Sequence, residues 1–268
     1  MSFWALVLKN LFRQRVRTAL TILGIAVGMT IIVALGAITE GFKASSTGFI
    51  RAGGADFLVA QDGASDLSFS AVPAEDAERI TALPGVERAI GTLLEVSEIG
   101  GNPYFLVFGY EPEALPEEPL ALTAGRLVAP GADREAMLGS RAAADLGLAV
   151  GDSLPVDGEP FEIVGLYRVD DQFRDGGAIV PLRPLQELSA RQDVVTAIHV
   201  TVASGADPDQ VASTVEREFP QLAAISTVDE YSKVDQGFEI LDAANLAISV
   251  LAIGIGAIGV MNTMIMSV

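Results

Sequence analysis

TALTILGIAVGMTIIVALGAIT, residues 18–39, runs for 22 positions without a charge. As a helix rising about 1.5 Å per residue it would cover roughly 33 Å, enough for a hydrocarbon core about 30 Å thick. AANLAISVLAIGIGAIGVMNTMIMSV, residues 243–268, is uncharged for 26 more. Two such segments predict two membrane-spanning helices. A cleaved signal peptide would also explain a basic front followed by an apolar run, but its apolar core is typically about 7–15 residues. Gly24 and Gly28, spaced by four, and Gly254, Gly256 and Gly259 in the second segment are small residues of the kind that let membrane helices approach closely.

Charge is distributed to match. The chain of 268 residues has a formal charge of −18, yet Lys9, Arg13, Arg15 and Arg17 all precede the first apolar run. Removing those four from 17 basic residues leaves 13 against 35 acidic ones, a net −22 between Glu40 and Asp242. Basic residues flank the cytoplasmic ends of membrane helices, so the expected topology has a cytoplasmic amino terminus, an extracytoplasmic acidic segment and a cytoplasmic Val268. Trp4, Val7, Leu8, Leu11 and Phe12 recur at helical spacing, with Lys9, Arg13 and Arg17 on another face. This pattern predicts an amphipathic helix in the interface with membrane lipid over residues 1–17.

The acidic segment, 40–242, is long enough to bury its own core. It alternates strands and helices: strands over 56–61, 86–99 and 104–109 around a helix over 73–83, then strands over 194–202 and 223–228 around a helix over 208–219. Two β-α-β units predict a split, ferredoxin-like α+β fold. Between them, about 120–190, short runs (RLVAP, DSLPV, EPFEIVGLYRV, GAIVPL) separated by Gly, Pro and Asp predict a small β-rich insertion holding one helix, 140–146, that stops at Gly147. The ends 40–46 and 229–242, with Phe42, Phe238, Ile240 and Leu241, are expected to continue the spans outward as a stalk.

Several function classes are excluded. Cysteine is absent and His199 is the single histidine, which removes disulfides, thiolate metal sites and most catalytic constellations. No Gly-Lys dipeptide occurs, so the chain lacks a P-loop for ATP. A surface this negative would repel nucleic acid. Asp170, Asp171 and Asp175 are the densest carboxylates, but they miss the calcium-loop pattern and are expected on a solvated turn. Strand alternation places His199 opposite Ile198, Val200 and Val202, and a surface or edge histidine is expected. The apolar run has no intramembrane charge to mark a solute path.

Three stretches together resemble the MacB/FtsX-type permeases of ATP-binding-cassette (ABC) systems: LKNLFRQRVRTALTILGIAVG at 8–28, AGRLVAPGADREAMLGSRAAADLGLAVGDSLPVDGEPFEIVGLYR at 124–168, and GIGAIGVMNTMIMSV at 254–268. The resemblance implies a stand-alone, non-catalytic permease subunit that relays motion from ATP hydrolysis to its outer domain. It implies no cofactor in this chain, with ATP and magnesium held by a cytoplasmic ATPase partner. The further partners it implies are a second permease subunit, identical or different, and an adaptor or substrate protein outside. Lys9, Arg13, Arg15 and Arg17 would then act at the cytoplasmic face in coupling and topology, and Gly24, Gly28, Gly254, Gly256 and Gly259 in helix packing. Family permeases have four spans, so the chain is expected to be a truncation. A membrane-anchored sensor domain is the alternative, distinguished by a signalling module following Val268. An envelope enzyme is the other rival, weakened by the want of an acid–base pair.

Overall fold

The computed structural model describes residues 54–226 except 65 and 66, together with helical residues 22, 26–38, 41, 243–244, 246–251, 253, 254 and 257. The chain divides into two compact units, residues 1–42 with 238–268, and residues 43–237.

In the first unit, most of the first expected span, residues 22 and 26–38, is described and helical, whereas the larger part of the second span, nearly all of the stalk ends and the whole amphipathic helix lie outside the described residues. What is described is helical and apolar, with Val33 and Leu246 each 69% exposed. Among the described residues no helix is long and apolar enough to cross a membrane.

The second unit is built on one ten-stranded sheet. Its first lobe comprises β1 (Phe57–Gln61), α1 (Glu75–Thr81), the start of β3 (Val86–Ile99), β11 (Ala197–Val202), α5 (Pro208–Glu218) and β12 (Leu222–Ile225). The strand order β12-β1-β11-β3, antiparallel throughout, is the split β-α-β arrangement expected from the sequence. β1 is buried on both faces from Phe57 to Ala60. Phe57 and Val59 join Ile198 and Val200 in a core closed by Ile80 of α1 and by Val211 and Val215 of α5.

Pro73 does not open a helix. It lies in the two-residue strand β2 (Val72–Pro73), opposite Val194 of β10 (Val194–Val195), and α1 begins two residues later. A residue without an N–H fits a two-stranded ribbon, where only one side of the strand has a partner.

The remaining strands extend the same sheet instead of forming a separate insertion. β3 turns through Gly100 and Gly101, φ 61° and 81°, into β4 (Asn102–Tyr110). That two-residue loop with both central residues at positive φ matches the twist of a hairpin. Beyond β4 the order is β9 (Ala178–Pro181), β6 (Glu135–Gly139), β8 (Glu159–Arg168) and β5 (Ala121–Gly125), with β7 (Ser153–Val156) also on β8. This second lobe carries α2 (Ser140–Leu146), α3 (Gln172–Asp175) and α4 (Leu182–Leu188). It begins at β4, earlier than the expected boundary near 120. The RLVAP run is not a strand; the edge strand is the uncharged ALTAG just before it.

Candidate functional site

The junction of the two lobes concentrates the buried polar groups of the domain. β3 is 14 residues long and belongs to both lobes. Its first half pairs with β11, from Val86–Val202 to Thr92–Ala197, and its second half with β4, from Thr92–Tyr110 to Ile99–Asn102. Thr92 therefore has strands on both sides.

β11 stops there, because the chain one residue earlier leaves the large sheet. Val195 and Val194 form β10 and pair with β2 instead. Thr196, fully buried, stands at the branch. Its N–H and its Oγ1 both donate to the Thr92 carbonyl, at 2.9 Å and 2.8 Å, and its Oγ1 accepts from the Leu94 N–H at 2.9 Å. A β-branched hydroxyl residue suits this place, since its χ1 is stiff and its oxygen both donates and accepts.

A second polar group lies beside the junction. Arg174 of α3 donates from Nη2 to Glu118 Oε2 at 2.8 Å, with both side chains buried. The guanidinium lies 5.7 Å from the centre of the Tyr110 ring. Tyr167 donates to the Arg174 carbonyl at 2.6 Å. Burial pushes the Tyr110 hydroxyl up to about 12, and raises Tyr167 as well. An ion pair so fully removed from water fixes geometry more than it adds net stability.

Where the parallel strands β4 and β9 end, at Tyr110 and Pro181, a cleft of about 690 Å³ opens, lined in part by Glu111, Glu113, Asp133, Arg183 and Glu187. Partial burial, helped by the neighbouring Glu113, raises the Glu111 carboxyl above its ordinary range.

The other expected residues fall as follows. His199 is 3% exposed, on an interior strand between Leu58 and Ile90, so the expectation of a surface or edge histidine is wrong. The face opposite Ile198 and Val200 is also covered, and polarity alternation does not separate a covered second face from solvent. Asp171 is no solvated turn residue. It caps α3 by accepting from Arg174 N at 2.7 Å, while Asp175 accepts from Arg141 N at 3.3 Å. Among the described residues no three His, Asp or Glu side chains group as a metal would require.

Lys9, Arg13, Arg15, Arg17, Gly24, Gly256 and Gly259 lie outside the described residues. Gly28 is helical and half-buried; Gly254 is helical and exposed, with no atom within 4 Å of where a side chain would begin. Thr196, Arg174 and Glu118 were not legible in the sequence as site residues. A lone Arg in a Gly- and Asp-rich loop carries no pattern that announces burial.

What the junction defines is a two-lobed α+β domain whose lobes share one sheet. The profile of the MacB-like periplasmic core domain matches residues 18–218, and the chain belongs to that family, that of the MacB/FtsX-type ABC permeases. It is similar to a macrolide export ATP-binding/permease protein MacB from Hyphomonas neptunium, 26% identical over 292 aligned positions. The alignment covers 97% of this chain but 44% of that relative, so the chain spans less than half its length. Its fold is similar to the crystal structure of the periplasmic region of MacB from Actinobacillus actinomycetemcomitans: TM-score 0.51 at 11% identity, covering 66% of this chain and 91% of that one.

Proposed function

We propose that this chain is the permease subunit of an ABC transporter, working by mechanotransmission. In this reading a separate cytoplasmic ATPase drives a permease pair, and the membrane segments relay the displacement to the outer domain, for export or for handling envelope lipoproteins. The observation that carries the reading is β3, one unbroken strand shared by both lobes of a MacB-like domain. A displacement applied at one lobe then reaches the other through the covalent backbone of β3, which is paired with β11 in one lobe and with β4 in the other. The outer placement of the domain is supported by the basic residues before residue 18. Membrane insertion of the flanking helices is supported by apolar side chains such as Val33 and Leu246 lying exposed on them.

Lys9, Arg13 and Arg17 are assigned to the cytoplasmic face, where each would contribute on the order of 1 kcal/mol against an anionic leaflet. The test uses the full-length permease reconstituted with its cognate ATPase. Replacing Lys9, Arg13 and Arg17 together by Glu should abolish permease-dependent stimulation of ATP hydrolysis while the protein still inserts. Unchanged stimulation by a correctly inserted triple variant would remove the coupling role from this segment.

A further inference from the structure

Two backbone connections stand out among the links between the lobes, which also include the Arg88–Glu117 ion pair and the bonds from Arg191 to the Ser68 and Ser70 carbonyls. One connection is β3. The other is the β2–β10 ribbon, which reaches both sides: Ala74, just before α1, donates its N–H to the Asp193 carbonyl at 2.8 Å, and Gln186 of α4 donates to the Val194 carbonyl at 2.9 Å. Thr196 is the residue at which these two connections meet.

Past Thr92 the neighbouring chain no longer runs along β3, so the Leu94 N–H has lost the carbonyl that a longer β11 would supply. The Thr196 hydroxyl stands in for it. The same oxygen donates back to the Thr92 carbonyl, two residues before Leu94 on β3. One side chain thus reproduces a rung of ladder, and it does so in a site closed to water, where a lost partner is not replaced by solvent.

We infer that the Thr196 hydroxyl is the conformational clasp that makes the two lobes move as one body. A twist of one lobe against the other is resisted along β3 by its ladder, whose partner changes at Thr92 from β11 to β4. At that place the side chain of Thr196 holds β3 and the ribbon together. The inference deepens the mechanotransmission reading and rests on it for its functional meaning, but the geometry it asserts can be measured without any transport assay.

The test uses the full chain in detergent or nanodiscs, in three forms: wild type, Thr196→Val and Thr196→Ser. Valine keeps the shape and removes the hydroxyl; serine keeps the hydroxyl. Since the chain has no cysteine, spin labels can be placed by Asp145→Cys on α2 and Glu218→Cys on α5, two exposed positions on different lobes. In the valine variant the Leu94 amide should exchange about tenfold faster or more, and the distance distribution between labels should broaden. The serine variant should match wild type in both. If the valine variant fails to fold, the serine and alanine pair supplies the same comparison. An unchanged label distribution in the folded hydroxyl-free variant, or a serine variant as loose as the valine one, would overturn the clasp while leaving the transporter reading intact. A clasp that opens as expected in a permease that never stimulates its ATPase would leave the clasp and remove that reading.

Discussion

Tyr110 shows how a single buried side chain ties stability to solution conditions. The residue is 1% exposed beside the Arg174–Glu118 pair, and burial raises its hydroxyl from 10 to about 12. The folded state therefore keeps this proton through a range in which the unfolded chain has lost it. The unfolded state binds fewer protons there, so stability falls as pH rises from about 10 through about 12, by on the order of 2–3 kcal/mol. The stability difference between wild type and Tyr110→Phe, from urea midpoints at pH 9 and pH 12, should shift in favour of the phenylalanine variant; a difference independent of pH would contradict the assignment. At this scale the sequence is least legible. His199, expected at the surface, is inside because its neighbours Leu58 and Ile90 come from far away in the chain. Asp171, by contrast, is held by the N–H of Arg174, in a helix of four residues that is too short to show in the sequence.

Elements were far more legible, and the failures have identifiable causes. β3 and α2 have the bounds that alternation and the Gly147 stop signal predict. Gly147 does adopt the left-handed conformation, φ 68°, that ends a helix. Two short helices, α3 and α4, leave no helical signature in the sequence. α3 has four residues and α4 opens after Pro181 with a second proline inside its first turn, so neither offers a full helical period. Gly139, between β6 and α2, is required for a different reason from Gly147. A Cβ there would stand 2.1 Å from the Asp175 carbonyl oxygen, and its own N–H donates to Gly177 O at 2.9 Å. Gly139→Ala must push α3 away from β6 and should cost roughly 1–3 kcal/mol or more, read as a lowered thermal midpoint with loss of protection at Gly139. A variant as stable as wild type would mean that this approach is easily relaxed.

For the whole molecule, the charge partition and the pair of β-α-β units were enough to predict a split α+β domain between two apolar segments. What they did not reveal is that the inserted strands join the same sheet, because edge-to-edge continuation leaves no mark on the hydrophobic period of either strand. The unit 43–237 clusters by itself and holds one continuous core from Phe57 to Leu222. Expressed alone, it should be a soluble monomer with mixed α/β circular dichroism and a cooperative urea transition; an extended profile in scattering would count against it.

The position of β1 in that sheet also dictates an order of events. Both neighbours of β1 lie near the far end of the domain: β11 pairs Val59 with Ile198, and β12 pairs Leu58 with Ile225. During synthesis at about 5–20 residues per second, an apolar strand that emerges first must wait through roughly 140 further residues before either partner exists. The second lobe, whose strands are closer in sequence, can form during that wait. The oldest strand of the domain is thus the last to be paired, and for several seconds it depends on something other than its own fold, whether the membrane surface or a chaperone, to keep it from the wrong neighbour.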